Sequence, residues 1–86
     1  MNNSALMRLA RLHRIEVWYI ERMKIYGVAF IDSWVINDGV KSGIFGVGES
    51  PEQAALDYLQ KIDGKKLEIA GRETMVIVRV LDDPTY

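Results

Sequence analysis

Apolar and polar positions in the first part of the chain recur with helical spacing. Over residues 5–13 the apolar residues fall on one side at 100° per residue, and basic residues fall on the other. Ser4 is placed to cap such a helix. The pattern therefore predicts a short amphipathic helix that docks its leucines and exposes its arginines. The apolar side comprises Ala5, Leu6, Leu9 and Leu12, and the basic side Arg8, Arg11 and Arg14.

From Ile15 the pattern changes to that of β structure. Residues 15–36 are rich in Val, Ile, Tyr and Trp, with stretches of alternation. The segment ERMK, residues 21–24, contains no Gly, Pro or Asn, so one long helix through residue 24 is an alternative to a turn there. Asn37–Gly39 is a tight-turn sequence, which predicts a hairpin between residues 28–36 and 40–47.

The segment GVGESPEQAALDYLQKIDGKK, residues 46–66, has the signals of a capped helix over residues 51–62. Ser50 is the expected N-cap, Pro51 suits the first turn, and we expect the Gln53 side chain to bond the Ser50 amide. Gly64 is suited to the left-handed position after the helix. The apolar face predicted to be buried comprises Ala54, Ala55, Tyr58, Leu59 and Ile62.

These elements predict one small α+β domain over residues 1–86, with frayed ends at 1–4 and 82–86. The expected order is α-β-β-β-α-β-β, with a mostly antiparallel sheet of five strands. Helix 51–62 should pack on one face of the sheet with the short N-terminal helix beside it. Its expected contacts are Phe30, Ile44, Phe45 and alternate residues of 75–81.

Composition narrows the class of protein. The chain of 86 residues is 49% hydrophobic and 27% charged, which is enough for one modest core. It has no cysteine, which excludes disulfides and thiolate metal sites, and we expect no cofactor. No run approaches a membrane span and the N-terminus lacks the pattern of a signal peptide. We therefore expect a cytoplasmic protein without membrane contact.

Charge is unevenly distributed along the chain. Residues 1–26 carry five Arg or Lys against two Glu, whereas the remainder carries six against ten, for a net charge of −1. A basic terminal segment can attract a polyanion. The candidate contacts for nucleic acid or another polyanion are Arg8, Arg11, Arg14, Arg22 and Lys24.

Residues with the chemistry of a catalytic or phosphate-binding site are sparse. Gly43, Gly46 and Gly48 precede a helix, but Glu49 follows them where a phosphate would bind. We interpret these glycines as allowing a strand to pass close beneath the helix. His13 is the only histidine and is expected near a helix C-terminus, and Asp32, Asp38, Asp82 and Asp83 have the character of turn and terminus residues. The sequence predicts neither a catalytic nor a metal site and no enzyme.

Aromatic residues are concentrated on the predicted sheet. Phe30 and Phe45 are most simply explained as core, whereas the two tryptophans exceed what a small core needs. An exposed tryptophan would indicate an interaction surface. The candidate protein-interface residues are Trp18, Trp34, Tyr26, Glu49 and Glu52, the last two because acids there would face a basic partner.

Three family resemblances are carried by residues 46–66 and the element order. Helix, three strands, helix over residues 5–62 resembles the double-stranded RNA-binding domain, whose phosphate-gripping lysines are here replaced by Pro51, Glu52 and Gln53. The strand-to-helix passage is also similar to that of HicB-like antitoxin domains, at Gly48, Ser50, Gln53 and Ala54. Small phage and prophage proteins with a GxSPEEA helix ending in I-x-GK are similar over residues 46 to about 80. The matching residues are Gly48, Ser50, Pro51, Glu52, Gln53, Ala54, Ile62, Gly64 and Lys65.

The sequence thus favours a non-enzymatic interaction protein of phage or prophage origin. It would bind a protein partner, or itself as a homodimer, through a sheet edge and exposed aromatic residues. The alternative is a nucleic-acid-binding module that uses the basic N-terminal helix.

Overall fold

The computed structural model describes residues 4–75, which form two helices and seven strands. Along the chain the elements are α1 (Ala5–Leu12), β1 (Ile15–Ile20), β2 (Ile25–Phe30), β3 (Ser33–Asn37), β4 (Val40–Ser42), β5 (Gly46–Gly48), α2 (Pro51–Ile62), β6 (Lys66–Ile69) and β7 (Arg72–Met75). The α+β class, the antiparallel pairing and helix 51–62 are confirmed. The segment between the helices forms five strands where the sequence predicted three.

The strands form two antiparallel sheets. Sheet A has the order β1-β2-β5 and sheet B the order β4-β3-β6-β7. The predicted strand 28–36 is broken at Ile31 and Asp32, where Asp32 adopts a left-handed φ of 62°. The amide of Ile31 donates to Arg14 O at 3.0 Å, and that of Ala70 donates to Asp32 O at 2.9 Å. This turn therefore passes the chain from sheet A to sheet B.

The turns predicted at residues 21–24 and 37–39 are present. Residues 15–20 are a strand, which decides against the helical alternative, and ERMK forms the β1–β2 turn with Lys24 at φ 57°. Asp38 and Gly39 have φ values of 53° and 78°, so the predicted β3–β4 hairpin is closed by a tight turn with two left-handed residues. Residues beyond 75, which include most of the predicted last strand and its expected contacts with helix 51–62, lie outside the described residues, as do residues 1–3.

One core joins both helices to both sheets. The five predicted residues of α2 are all buried, and Tyr58 lies edge-on to Phe30 with ring centroids 5.5 Å apart. The Tyr58 hydroxyl accepts from the Phe30 amide at 3.1 Å, so a buried polar group is satisfied at the point where the sheets meet. The other buried apolar residues in the described part of the chain are Ala5, Leu9, Val28, Ala29, Phe30, Val35, Leu67 and Ile69.

Two side chains predicted for the core are not in it. Leu12 is the last residue of α1 and stays 56% exposed, whereas Leu9 one turn earlier is fully buried. The Phe45 side chain is 43% exposed and its ring contacts Trp18, while its carbonyl accepts from Lys61 of α2 at 3.1 Å. The residue of this segment that lies under α2 is Gly46, because only a glycine fits there.

Both helices are capped by local side chains. Ser4 accepts from the Met7 amide and Ser50 from the Gln53 amide, each at 3.1 Å. The Gln53 side chain accepts from the amide of Glu49 at 3.1 Å, one residue before the predicted Ser50. Gly64 takes its predicted left-handed position with φ 77°.

Candidate functional site

An open groove of about 380 Å³ lies where the two sheets meet. Strand alternation decides which side chains reach it. Trp18 pairs with Gly27 in register, on the face of sheet A opposite Val28 and Phe30. Trp34 alternates with the buried Val35 in β3, so it too points away from the core. The groove therefore lies on the side of the sheets away from α2.

Beside the buried Phe30, three aromatic residues outside the core line this groove. Trp18 and Phe45 contact each other with ring centroids 5.4 Å apart and planes inclined by 58°. Trp34 approaches from sheet B and is 45% exposed. The Trp18 indole also lies directly over Gly27, where any Cβ would collide with the ring. Part of Trp18 thus covers the backbone of β2, while Trp34 and Phe45 leave aromatic surface open to solvent.

Within the described part of the chain, the two charged residues that line the groove are both acidic. Glu16 belongs to β1 and Asp32 to the turn between the sheets. Both are exposed, and neither forms an ion pair with any residue of the described part of the chain. Glu68, which pairs in register with Trp34, is neutralised by Lys41 at 2.6 Å. The groove is therefore aromatic and negatively charged.

The predicted interface residues separate into three places. Trp18 and Trp34 come together at the groove, whereas Tyr26 lies on the other face of sheet A against Tyr19, at 5.0 Å between ring centroids. Glu49 is exposed at the start of α2. The Glu52 carboxylate accepts from the amides of Ala5 at 2.6 Å and Leu6 at 3.2 Å. Glu52 therefore caps α1 from α2.

The candidate polyanion contacts are not gathered into one surface. Arg8 and Arg11 lie on α1, where Arg8 is half-buried, and Arg14 directly precedes β1. Arg22 and Lys24 are exposed in the turn at the far end of β1. At about 3.3 Å per residue, the ends of this six-residue strand are roughly 17 Å apart. The basic residues thus form two separate groups.

The glycine-rich segment is structural, as the sequence predicted. A Cβ on Gly46 would collide with Ala54 O and the Tyr58 amide, and one on Gly48 would lie 2.6 Å from the Ala54 nitrogen. The space where a phosphate would bind is therefore filled by α2. The Asp57 carboxylate accepts from the Val47 amide at 2.9 Å and pairs with Lys61 at 2.8 Å. Burial raises the pKa of Asp57, but Lys61 and the Val47 amide outweigh it, so that the pKa lies below its usual value.

The other candidate residues do not assemble into a site. His13 caps the C-terminus of α1 and lies edge-on to Phe30 at 5.9 Å. Among residues 4–75, no three His, Asp or Glu side chains come together in a way that could hold a metal ion. Asp82 and Asp83 lie outside the described residues.

Comparison with family models, with curated proteins and with solved structures gives no match for this chain. Within residues 4–75, neither helix has the length and apolar character that crossing a bilayer requires.

Sequence reasoning missed three members of the groove. Phe45 was expected in the core, Glu16 was not singled out, and Asp32 was interpreted only as a turn residue. One signal for the groove was available in the sequence. A β1–β2 hairpin with its turn at residues 21–24 places Trp18 opposite Gly27, and this register could have been predicted.

Proposed function

We propose that the protein is a non-enzymatic interaction module that binds a protein partner through the groove between its two sheets. The observation that carries this proposal is the convergence of Trp18, Trp34 and Phe45, from three separate segments, on one open surface. Large aromatic residues exposed together are typical of binding surfaces, and tryptophan often contributes much of an interface's affinity.

Core packing accounts for only part of this arrangement. Trp18 covers Gly27, which explains its position, but Trp34 and Phe45 remain 45% and 43% exposed. Partner binding would remove this apolar surface from water and so gain hydrophobic free energy.

The proposal is tested by immobilising the unmodified protein and the Trp34→Ala variant and comparing the amount of partner that each captures from a bacterial lysate. Truncating an interface tryptophan typically costs about 2 kcal/mol or more, so we expect capture of the partner to fall at least about tenfold. The matched control is Val40→Ala, which removes a 62% exposed residue from the other face of sheet B and should leave capture unchanged. Equal loss in both variants, or no loss with Trp34→Ala, would contradict the proposal.

Nuclease and salt decide between this proposal and the nucleic-acid alternative. Protein binding through the groove should survive nuclease treatment. Binding through the basic residues should disappear with nuclease and weaken steeply with salt, by a slope of roughly one per phosphate neutralised. If the basic residues bind nucleic acid, the double variant Arg11→Gln with Arg14→Gln should abolish capture. If the partner binds at the groove, the same double variant should leave capture unchanged.

We further propose self-association through β1, a cytoplasmic location and a phage or prophage origin. β1 is an outer strand of sheet A whose six residues include no Pro or Gly. The cysteine-free composition fits a reducing compartment. The resemblance of residues 46 to about 80 to small phage proteins supports the origin.

A further inference from the structure

We infer that the groove recognises a cationic side chain, best matched by an arginine, in a basic segment of the protein partner. This inference rests on the proposed function, since it assigns the chemistry of the partner that the same groove would bind. The juxtaposition of Trp18, Trp34 and Phe45 with the carboxylates of Glu16 and Asp32 carries it.

The aromatic side chains provide the first half of the complementarity. A cation over the face of an aromatic ring is attracted by the ring quadrupole, most strongly for tryptophan. The planar guanidinium of arginine can also stack on such a ring while its aliphatic stem covers apolar surface. Trp34 and Phe45 have exposed surface available for both contacts.

The carboxylates of Glu16 and Asp32 provide the second half of the complementarity to a cation. Glu16 and Asp32 approach the groove from β1 and from the turn between the sheets, and no Lys, Arg or His of residues 4–75 lines it. Three other acids of the domain are engaged elsewhere: Glu52 caps α1, and Asp57 and Glu68 pair with lysines. Glu16 and Asp32 have no such partner among the described residues. A guanidinium can satisfy either carboxylate with two parallel hydrogen bonds.

The negative charge of the groove also disfavours anionic and purely apolar ligands. An anionic ligand would be repelled by both carboxylates. A purely apolar segment would take them out of water without a compensating cation, which is costly. Only a cationic group gains from the rings and the acids together.

The test is a titration of the full-length, ¹⁵N-labelled protein with two capped glycine-rich peptides. One carries a central arginine and the other citrulline, its neutral isostere. The indole N–H signals of Trp18 and Trp34, assigned with Trp34→Phe, report binding at the groove. We expect saturable shifts of both signals with the arginine peptide and at least about fivefold weaker binding of the citrulline peptide.

Three variants complete the design. Glu16→Gln and Asp32→Asn remove charge at constant volume, and asparagine tolerates the left-handed φ of Asp32. Each substitution should weaken binding of the arginine peptide at least about threefold. The matched control is Asp38→Asn, which changes an exposed acid of similar φ in the β3–β4 turn, outside the groove, and should have no effect. Unchanged amide spectra elsewhere confirm that the variants fold.

Equal binding of both peptides, no binding of either, or an equal effect of Asp38→Asn would overturn the cationic assignment. Each of these results leaves the interaction module standing if lysate capture still depends on Trp34. Loss of that dependence would instead remove the proposed function.

Discussion

Two glycines in β5 set the distance between sheet A and α2. Gly46 is buried and Gly48 is half-buried, and the backbone of α2 occupies the position where a side chain on either glycine would begin. Neither needs a positive φ, so their role is close approach and not a turn. The sequence could predict this, because the glycines alternate in a short strand directly before a capped helix.

Gly46→Ala tests this close approach. The new methyl group would meet Ala54 O and the Tyr58 amide, which are helix backbone and cannot rotate away. We expect the free energy of unfolding, measured by urea denaturation, to fall by about 3 kcal/mol. Gly43→Ala is the control, because its nearest neighbour is the Trp34 ring at 3.7 Å, an ordinary contact. Similar stability of the two variants would contradict the explanation.

At the scale of elements, a carboxylate on one helix caps the other. The first amides of α1 need partners, and Ser4 supplies one for Met7. The Glu52 carboxylate supplies those for Ala5 and Leu6. Glu52 thus fixes α1 against α2 and places a negative charge at the N-terminus of α1, where the helix dipole favours it.

Replacing Glu52 should therefore loosen α1. We expect Glu52→Ala to lower the free energy of unfolding by about 1 kcal/mol, which corresponds to roughly 5 °C in the melting temperature of a domain of this size. Glu52→Lys should cost more because it also reverses the charge. Glu49→Ala is the matched control, since only the Glu49 backbone is bonded, to Gln53. Equal melting temperatures for all three variants would contradict this role.

The ends of a helix or strand could be predicted only where the residues that fix them lie nearby in the sequence. Both helices were predicted because their caps lie within a few residues, as the Ser50–Gln53 and Gly64 positions show. The break at Asp32 was not predicted, because the strand pattern of residues 28–36 continues on both sides of it, although aspartate and serine are turn-favouring residues. Its turn is held by hydrogen bonds to Arg14 and Ala70, which are distant in sequence. Pairing at long range overrides local propensity at this point.

At the scale of the whole molecule, the division into two sheets creates the groove. The domain measures 36 × 34 × 19 Å, which fits one helical layer on one layer of sheets. Trp18 belongs to sheet A and Trp34 to sheet B, so their meeting depends on the position of the break between β2 and β3. The sequence could identify the tryptophans as surplus to the core. It could not place Phe45, Glu16 and Asp32 beside them.

The outer edge of β1 leads to the last prediction. This strand is the longest edge of the two described sheets, and Val17 and Tyr19 are 43% and 51% exposed along it. An unguarded edge of this kind can pair with a second copy of itself in antiparallel fashion. We expect light scattering at high micromolar concentration to show a dimer. Val17→Lys should shift it to monomer, because a lysine on an edge strand opposes strand pairing.

Val40→Lys is the matched control for this edge. Val40 is 62% exposed on β4, the outer strand of sheet B, so the same charge is added to the other sheet. Dimerisation through β1 should survive it, whereas a dimer that dissociates only with Val40→Lys would assign the contact to sheet B. A wild-type protein that stays monomeric throughout the concentration range would rule out self-association. Trp34 lies on β3 in sheet B and not on β1, so Trp34→Ala should leave the dimer intact.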